Sequence, residues 1–259
     1  MRAVVGAEWI KIRTVRSAFW TLFSTVVVSV GLSFLVGLSF RDGFSRMAPG
    51  QRATFDPLFA TFYSLTLGQL PLVVFGVLVV TSEYRGATIG ASLAAVPRRG
   101  VFYAAKLIAA TLPVAGVSVI TVLATFGTAQ TALGPLGVWI GAGYVVEAIT
   151  GGCLYLIMIF LFAVGVATML RSSVRALAIL LPLLFLGSQG LGNVPKIKAL
   201  AQYLPDQAGM VIMHLAGPSG DPRFARPYGA WTGLAILSLW TTVSLVGGYL
   251  VLRSRDADA

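Results

Sequence analysis

Charged side chains are scarce in this sequence. They make up 11% of its 259 residues, against about 25% in an ordinary soluble domain. The charges stand in short groups, and the uncharged stretches between them are long enough to cross a bilayer, which takes about 20 residues. This distribution excludes a water-soluble domain and predicts an integral membrane protein.

Reactive side chains are scarce as well. Cys153 is the single cysteine and cannot form an internal disulfide, and His214 is the single histidine. No group of Cys, His and acidic residues has the spacing of metal ligands. None of the four lysines follows a glycine, so the sequence lacks the Gly-Lys-Ser/Thr of a P-loop. We therefore predict no catalytic, cofactor-binding or metal-binding residue, and a chain that is not an enzyme.

The net charge of +10 does not indicate nucleic-acid binding. The basic residues fall at the ends of apolar runs rather than on one helix face, as in membrane proteins with basic cytoplasmic loops. We expect the lipid bilayer as a partner and no nucleic acid. Only four of the 19 basic residues are lysines, a bias typical of GC-rich genomes, which favours a bacterial source.

The apolar runs predict an all-α polytopic membrane fold with six transmembrane helices in a single domain of residues 1-259. Charged groups and Gly/Pro clusters bound the runs. A cytoplasmic segment at 83-99 separates the second and third spans, and an extracellular loop at 194-229 includes a short helix near 206-215. The six predicted spans are 19-40, 58-82, 107-129, 148-170, 176-193 and 230-252, preceded by an interfacial helix at 1-18.

The distribution of Lys and Arg predicts the orientation. Twelve of the 19 basic residues fall on the side of the two termini, most of them next to the ends of spans. The other seven lie in the long loops of the opposite side, where the positive-inside rule is weaker. We expect a multi-pass protein of the bacterial plasma membrane with both termini in the cytoplasm.

Acidic residues are absent from the middle of the predicted spans. Glu147 is the one candidate, because residues 138-147 are compatible with a re-entrant piece, an interfacial piece or the start of helix four. Only the last of these places the carboxylate inside the membrane. Without a titratable relay, neither a proton-coupled carrier nor an intramembrane hydrolase is favoured.

The segment before the first span has amphipathic character. Val5, Trp9 and Ile12 share one stripe of a helical wheel, and Lys11 and Arg13 lie off that stripe. Such a helix would lie on the inner membrane surface, with Trp9 at headgroup depth and the basic groups toward lipid phosphates. Simple positive flanking charge is the alternative.

The segment after the second span contains another short helical pattern. Ile89, Leu93 and Val96 recur at i, i+4 and i+7, on one face of a helix. Glu83 in the first turn is favoured by the helix dipole, and Pro97 ends the helix. Because this apolar face lies outside the bilayer, the membrane surface or a protein partner must cover it.

Four segments together resemble the type-2 ABC exporter permeases, especially those of actinobacteria. The resemblance covers nearly the whole chain, and it is the order of the segments rather than any one of them that makes it specific. The segments are AEWIKIRTVRS at 7-17, SEYR at 82-85 with TI at 88-89 and LAAVPRR at 93-99, LP and AG within 204-209, and RDA at 255-257.

The resemblance implies a permease subunit that exports a hydrophobic or amphiphilic substrate without an ATPase of its own. It would pair with a second permease subunit, as a homodimer or a heterodimer, and a separate ABC ATPase subunit would bind ATP and Mg. Residues 1-18 would be a connecting helix, and 83-99 a coupling helix docked on the ATPase. The implied ATPase contacts are Glu83, Tyr84, Arg85, Thr88, Ile89, Leu93 and Val96.

Two other functions are compatible with the sequence. A stand-alone secondary carrier would depend on a titratable group, for which Glu147 is the candidate. A membrane scaffold subunit would have no transport activity of its own. The identity of the substrate is not encoded in any motif, and the export direction rests on the resemblance alone.

Overall fold

The computed structural model describes residues 1-85, 89-217 and 224-254. Within these residues the protein is α-helical with no β-strand, which confirms the predicted all-α class. Short 3-10 turns occupy Gly134–Leu136, Leu191–Asn193 and Met210–Met213. The α-helices are α1 (Arg2–Thr14), α2 (Arg16–Phe44), α3 (Pro49–Ala53), α4 (Pro57–Phe62), α5 (Leu65–Arg85), α6 (Ile89–Ala95), α7 (Arg99–Leu133), α8 (Gly143–Leu170), α9 (Ser173–Ser188), α10 (Lys198–Ala201), α11 (Pro205–Gly209) and α12 (Ala230–Ser254).

Five stretches of the described chain are long and apolar enough to cross a membrane. The sixth predicted span, at 176-193, is the shorter helix α9. Its 16 residues reach about 24 Å, less than the roughly 30 Å of a bilayer core. The five long stretches are Arg16–Phe44, Pro57–Tyr84, Arg99–Leu136, Gly143–Leu170 and Ala230–Ser254.

Helix α9 ends early because the chain turns at glycines. Gly190 has a positive φ of 95°, a conformation that glycine adopts without strain. One turn earlier, the Asp206 carboxylate lies so close to Gly187 that a Cβ there would be 2.0 Å from Oδ2. The segment predicted as the last part of helix five therefore leaves the helix axis.

The third and fourth spans both begin before their predicted starts. Helix α7 begins at Arg99, eight residues ahead of the expected start at 107, because Phe102, Tyr103 and Lys106 are all buried against other helices. Helix α8 begins at Gly143 rather than 148, so Glu147 belongs to that helix. Lys106 did not end α7, because its ammonium group is paired with Glu8 and Glu83.

Helix α8 lies at the centre of the bundle and packs against α5, α7, α9 and α12. Phe160 of α8 stacks on Phe75 of α5 with ring centroids 5.7 Å apart. The α8–α12 contact is close because it is made by small residues: a Cβ at Gly165 would lie 2.5 Å from the Ser244 backbone. Small residues at such positions allow backbones to approach within a membrane bundle.

The region 194-229, predicted as a polar extracellular loop, contains a buried cap at 205-213. Helix α11 and the turn Met210–Met213 pack on α8 and α12, and nearly all of their residues are buried. Ala208, Ile212 and Met213 supply the apolar surface that makes this burial favourable. The short helix expected near 206-215 corresponds to α11 and the turn after it.

Helices α1 and α2 are separated by a single extended residue. Val15 has φ −87° and ψ 111°, a conformation that β-branched residues favour. The break allows α1 to leave the axis of α2 and pack against the start of α7. The N-terminal helix is thus attached to the bundle rather than continuing the first span.

The orientation can be tested by cysteine labelling in a Cys153→Ala background. Ala94 and Lys196 are both exposed and lie on opposite sides of the predicted topology. With a membrane-impermeant maleimide on intact cells, Lys196→Cys should react, whereas Ala94→Cys should react only after permeabilisation. The reverse pattern would contradict the predicted orientation.

Candidate functional site at a buried charge cluster

Four charged side chains meet where α1, α5 and α7 converge. Glu8 and Lys11 come from α1, Glu83 from the end of α5 and Lys106 from the second turn of α7. The side chains of Glu8, Glu83 and Lys106 are 4%, 7% and 6% exposed, and that of Lys11 is 46% exposed. We call these four residues the charge cluster.

Lysine ammonium groups bridge the two carboxylates. The Lys106 Nζ donates to Glu8 Oε2 at 2.6 Å and lies 3.1 Å from Glu83 Oε1. The Lys11 Nζ donates to Glu8 Oε1 and to Glu83 Oε1, both at 2.7 Å. The two negative and two positive charges cancel, which is the condition under which charges can be buried.

The lysines hold Glu8 in its charged form. Burial alone would raise the pKa of Glu8, but Lys106 and Lys11 outweigh it, so the pKa lies below its usual value. Burial would lower the pKa of Lys11, and its hydrogen bonds to Glu8 and Glu83 outweigh that effect and raise it. The stabilisation by Glu8 is therefore present above its unfolded-state pKa and is lost as the pH falls through the lowered value.

The contacts made by α1 differ from those that the sequence predicts. Lys11 was expected to face lipid phosphates, and it instead binds the two carboxylates, because they lie under the inner face of α1. Ile12 packs against the core, Val5 is half-buried, and Trp9 and Arg13 are exposed. Trp9 on the outward face remains available to the headgroup region.

Two of the implied ATPase contacts have partners within this chain. Glu83 belongs to the charge cluster, and Tyr84 is half-buried, with Arg171 Cζ 5.6 Å from its ring centroid. Val96 is half-buried against Phe102, Tyr103 and Leu252.

The other implied contacts fall outside what the structure describes. Thr88 lies in the gap at 86-88, and for Arg85, Ile89 and Leu93 only the backbone is described. The seven residues Ile89–Ala95 form the helix α6. Ala94 and Ala95 of this helix are exposed.

Sequence reasoning missed the roles of Glu8 and Lys106. Glu8 and Lys106 are 98 residues apart, and Lys106 was counted only as positive charge flanking a span. The available signal was local: Glu8 and Lys11 form an i, i+3 ion pair on α1. Two of the four lysines of an arginine-rich chain also belong to the cluster.

A second buried acid lies near the end of α9. Asp206 is fully buried, and its Oδ1 has no hydrogen-bond partner among the described residues. Burial raises the pKa of Asp206 to about 7. The surrounding polar groups are Gln207, which donates to the Gly187 carbonyl, and Tyr155, which donates to Gln69 at 2.6 Å. The sequence pattern places Asp206 in an outer loop, and Glu147 is the acid that it indicates as a candidate.

His214 has a partner that the sequence did not reveal. Its Nδ1 lies 2.6 Å from Asp56 Oδ2, and Asp56 also accepts from the Leu58 amide at the start of α4. The hydrogen bond to Asp56 raises the pKa of His214 despite partial burial. This pair joins α4 to the cap formed by α11 and the turn after it.

No metal centre accompanies these groups in the described ranges, where no three His, Cys, Asp or Glu side chains are arranged to hold an ion. Comparison of the sequence with protein-family models and with curated proteins finds no match.

Removing Lys106 should be the most damaging change in the charge cluster. Lys106→Met leaves two buried carboxylates with one half-exposed lysine, and breaking a buried pair costs about 3–5 kcal/mol. Lys11→Met should cost less, because half-exposed charges are solvated by water. The melting temperature in detergent should therefore fall most for Lys106→Met, and it should not change for the exposed control Lys196→Met. A larger fall for Lys11→Met would contradict this ranking.

Asp206 should make stability depend on pH. Its raised pKa means that the folded state retains a proton that the unfolded state releases between about pH 4 and pH 7. Stability is therefore lost as the pH rises through that range. Asp206→Asn should stabilise the protein at pH 8 by on the order of 4 kcal/mol and have little effect at pH 4.

Melting temperatures in detergent across this pH range measure the effect, with the exposed Asp42→Asn as the control. A wild-type pH profile that is unchanged in Asp206→Asn would show that the buried carboxyl does not titrate there.

Proposed function

We propose that this chain is the permease subunit of an ABC exporter of the type-2 kind, driven by a separate ATPase subunit. It would reside in a bacterial plasma membrane with both termini in the cytoplasm and pair with a second permease subunit. The five long apolar helices, the lack of a P-loop and the order of the four resembling segments support this function. The observation that carries the proposal furthest is the charge cluster.

The charge cluster ties α6 to the bundle. Helix α6 lies between α5, which ends just beyond Glu83, and α7, which holds Lys106. Lys11 also donates to Ser92 Oγ on α6 at 3.3 Å. A displacement of α6 would therefore act on α1, α5 and α7 together, as required of a segment that receives force from an ATPase.

Two arginines connect α7 and α8 to the C-terminal end of α12. Arg99 at the start of α7 donates to the Leu252 carbonyl of α12 at 2.8 Å. Arg171 ends α8 and donates to the Val251 carbonyl of α12 at 3.1 Å. Cations at helix C-termini are favoured by the helix dipole. The charged ends of α7, α8 and α12 are thus held in one assembly with α6.

A stand-alone proton-coupled carrier is the alternative, and one observation favours it. Asp206 is a fully buried acid with a pKa of about 7, the kind of group that a proton relay requires. It replaces Glu147 as the residue on which this alternative depends. Uptake driven by a pH gradient in vesicles of the purified chain, abolished by Asp206→Asn, would favour this function over the ABC exporter.

The exporter proposal predicts a loss of ATPase association on changing α6. The tagged chain, purified from its own cells, should carry a P-loop protein that hydrolyses ATP. Leu93→Asp should remove that ATPase, because a carboxylate opposes burial of the apolar face that the sequence spacing predicts for Ile89 and Leu93. Ala94→Asp is the matched control, since Ala94 lies off that face.

Both variants should reach the membrane in wild-type amounts. The complex is then reconstituted, and ATP-driven movement of a fluorescent phospholipid analogue and of a cationic amphiphilic dye is measured. Retention of the ATPase and of full transport by Leu93→Asp would contradict docking through this face.

A further inference from the structure

The pair formed by His214 and Asp56 joins the cap to the start of the second span. The His214 Nδ1 lies 2.6 Å from Asp56 Oδ2. His214 follows the turn Met210–Met213, and Asp56 precedes α4, where it accepts from the Leu58 amide at 2.9 Å. The pair therefore connects two segments that are 158 residues apart in the chain.

The two connected segments pack on different helices. Helix α4 packs against α2 and α7, and Gln130 of α7 donates to Thr61 of α4 at 3.1 Å. The turn Met210–Met213 packs mainly against α8 and α12, and its Ile212 lies directly against Gly151 of α8. The His214–Asp56 pair thus crosses the boundary between these two sets of helices.

Both side chains of the pair reach solvent and can exchange protons with it. The side chain of His214 is 38% exposed, and that of Asp56 is 29% exposed. The hydrogen bond to Asp56 raises the pKa of His214 above its ordinary value of 6.5. Burial alone would raise the pKa of Asp56, but the contact with His214 outweighs burial and lowers it. An ion pair therefore exists between the lowered pKa of Asp56 and the raised pKa of His214.

Helix α8 adds two ionisable groups beside His214. The negative charge of Glu147 also favours the protonated imidazole. The ring of Tyr144 lies 6.5 Å from the imidazole, measured between ring centroids. Both groups belong to one helix, whereas Asp56 is the acid that ties His214 to α4.

The remaining elements around the turn place no further charge beside His214 in the part of the chain that the structure describes. Asp206 of α11 lies against Gly187 of α9 instead. Helix α12 has no Asp, Glu, Lys, Arg or His before Arg253 at its far end. The protonation of His214 therefore acts mainly on its contact with Asp56.

The opposite end of the bundle is held by contacts that do not titrate. Arg99 donates to the Leu252 carbonyl, and Arg171 at the end of α8 donates to the Val251 carbonyl. An arginine side chain keeps its charge throughout the physiological pH range. A change of pH near neutrality therefore acts at the cap and leaves these arginine contacts unchanged.

We propose that the His214–Asp56 pair is a pH-controlled latch between the cap and α4, closed when His214 is protonated and loosened when it is neutral. A neutral imidazole still donates one hydrogen bond to the carboxylate, but the attraction between opposite charges is lost. Because the pKa of His214 is raised on folding, its stabilisation is fully present below the unfolded-state value and is lost as the pH rises through the raised value. The latch acts on the cap rather than on α6, so it is compatible with either function considered above.

The test follows hydrogen exchange of the cap in the purified full chain. Peptides that cover 205-215 are compared between wild type and His214→Gln, at about pH 6 and at about pH 9, on either side of the histidine titration. The ratio of the two proteins at one pH cancels the intrinsic exchange rate and the titration of Asp206, which both proteins share. We expect exchange about threefold faster in His214→Gln at the lower pH, and equal exchange at the higher pH. A ratio that is the same at both pH values would overturn the proposal.

A matched pair of acidic variants tests the partner. Asp56→Asn removes the charge but keeps a side chain that caps α4, so its cap should exchange as in His214→Gln. Asp42→Asn, at an exposed position of α2, should exchange as wild type. Wild-type exchange in Asp56→Asn at the lower pH would overturn the assignment of Asp56.

The titration itself can be measured without changing the latch. His214 is the single histidine of the sequence, so the NMR signal of labelled histidine in untagged wild-type protein reports this residue alone. We expect a midpoint above about pH 6.5, and a lower midpoint in Asp56→Asn. A wild-type midpoint at or below the ordinary value would overturn the latch.

Discussion

The Lys106 ammonium, held between two buried carboxylates, is the interaction on which the arrangement of this bundle depends. A charge in a low-dielectric interior is tolerated only when partners neutralise it and satisfy its hydrogen bonds. Lys106 comes from α7, and its partners come from α1 and α5, so the three helices must meet at one point. Apolar contacts between lipid-exposed helices tolerate sliding, because lipid tails replace them at little cost. The charge cluster fixes the register that those contacts leave open.

The five long apolar helices could be predicted from the sequence, but the pairing of the charged side chains could not. Charge-free runs mark the spans because the bilayer penalises unpaired charge. The same reasoning predicts Lys106 as a residue that flanks the third span, and a start of that span at 107. Helix α7 instead begins at Arg99, because a basic side chain that is paired at long range does not end a helix. Helix α9 ends at Ser188, before the predicted end of the fifth span at 193. The segment is apolar enough to continue as a helix, but the chain turns at Gly190 and leads into the cap. No local sequence pattern predicts the packing of that cap.

The buried Glu8 of the charge cluster and the buried Asp206 near the end of α9 have different surroundings, and their pKa values shift in opposite directions. Glu8 and Glu83 have two lysines, and Glu8 keeps a lowered pKa despite its burial. The side-chain amide of Gln207, a neutral group, lies 3.4 Å from Asp206 Oδ2, and burial raises the pKa of Asp206 to about 7. A paired set resists change in protonation and suits a mechanical role, whereas an unpaired acid near neutrality responds to small changes in its surroundings. The charge cluster is therefore the feature on which the proposed ATP-driven function rests, and Asp206 is the feature on which the alternative of proton coupling rests.

The charge cluster is balanced in charge but incomplete in hydrogen bonds. Leaving a buried acceptor unsatisfied costs about 1–3 kcal/mol, and Glu83 Oε2 is such an acceptor within the described part of the chain. A neutral amide or a further lysine would satisfy it but would disturb either the packing or the charge balance. Because this oxygen is closed off from solvent in the folded protein, the penalty offsets part of the stabilisation that the four paired charges provide.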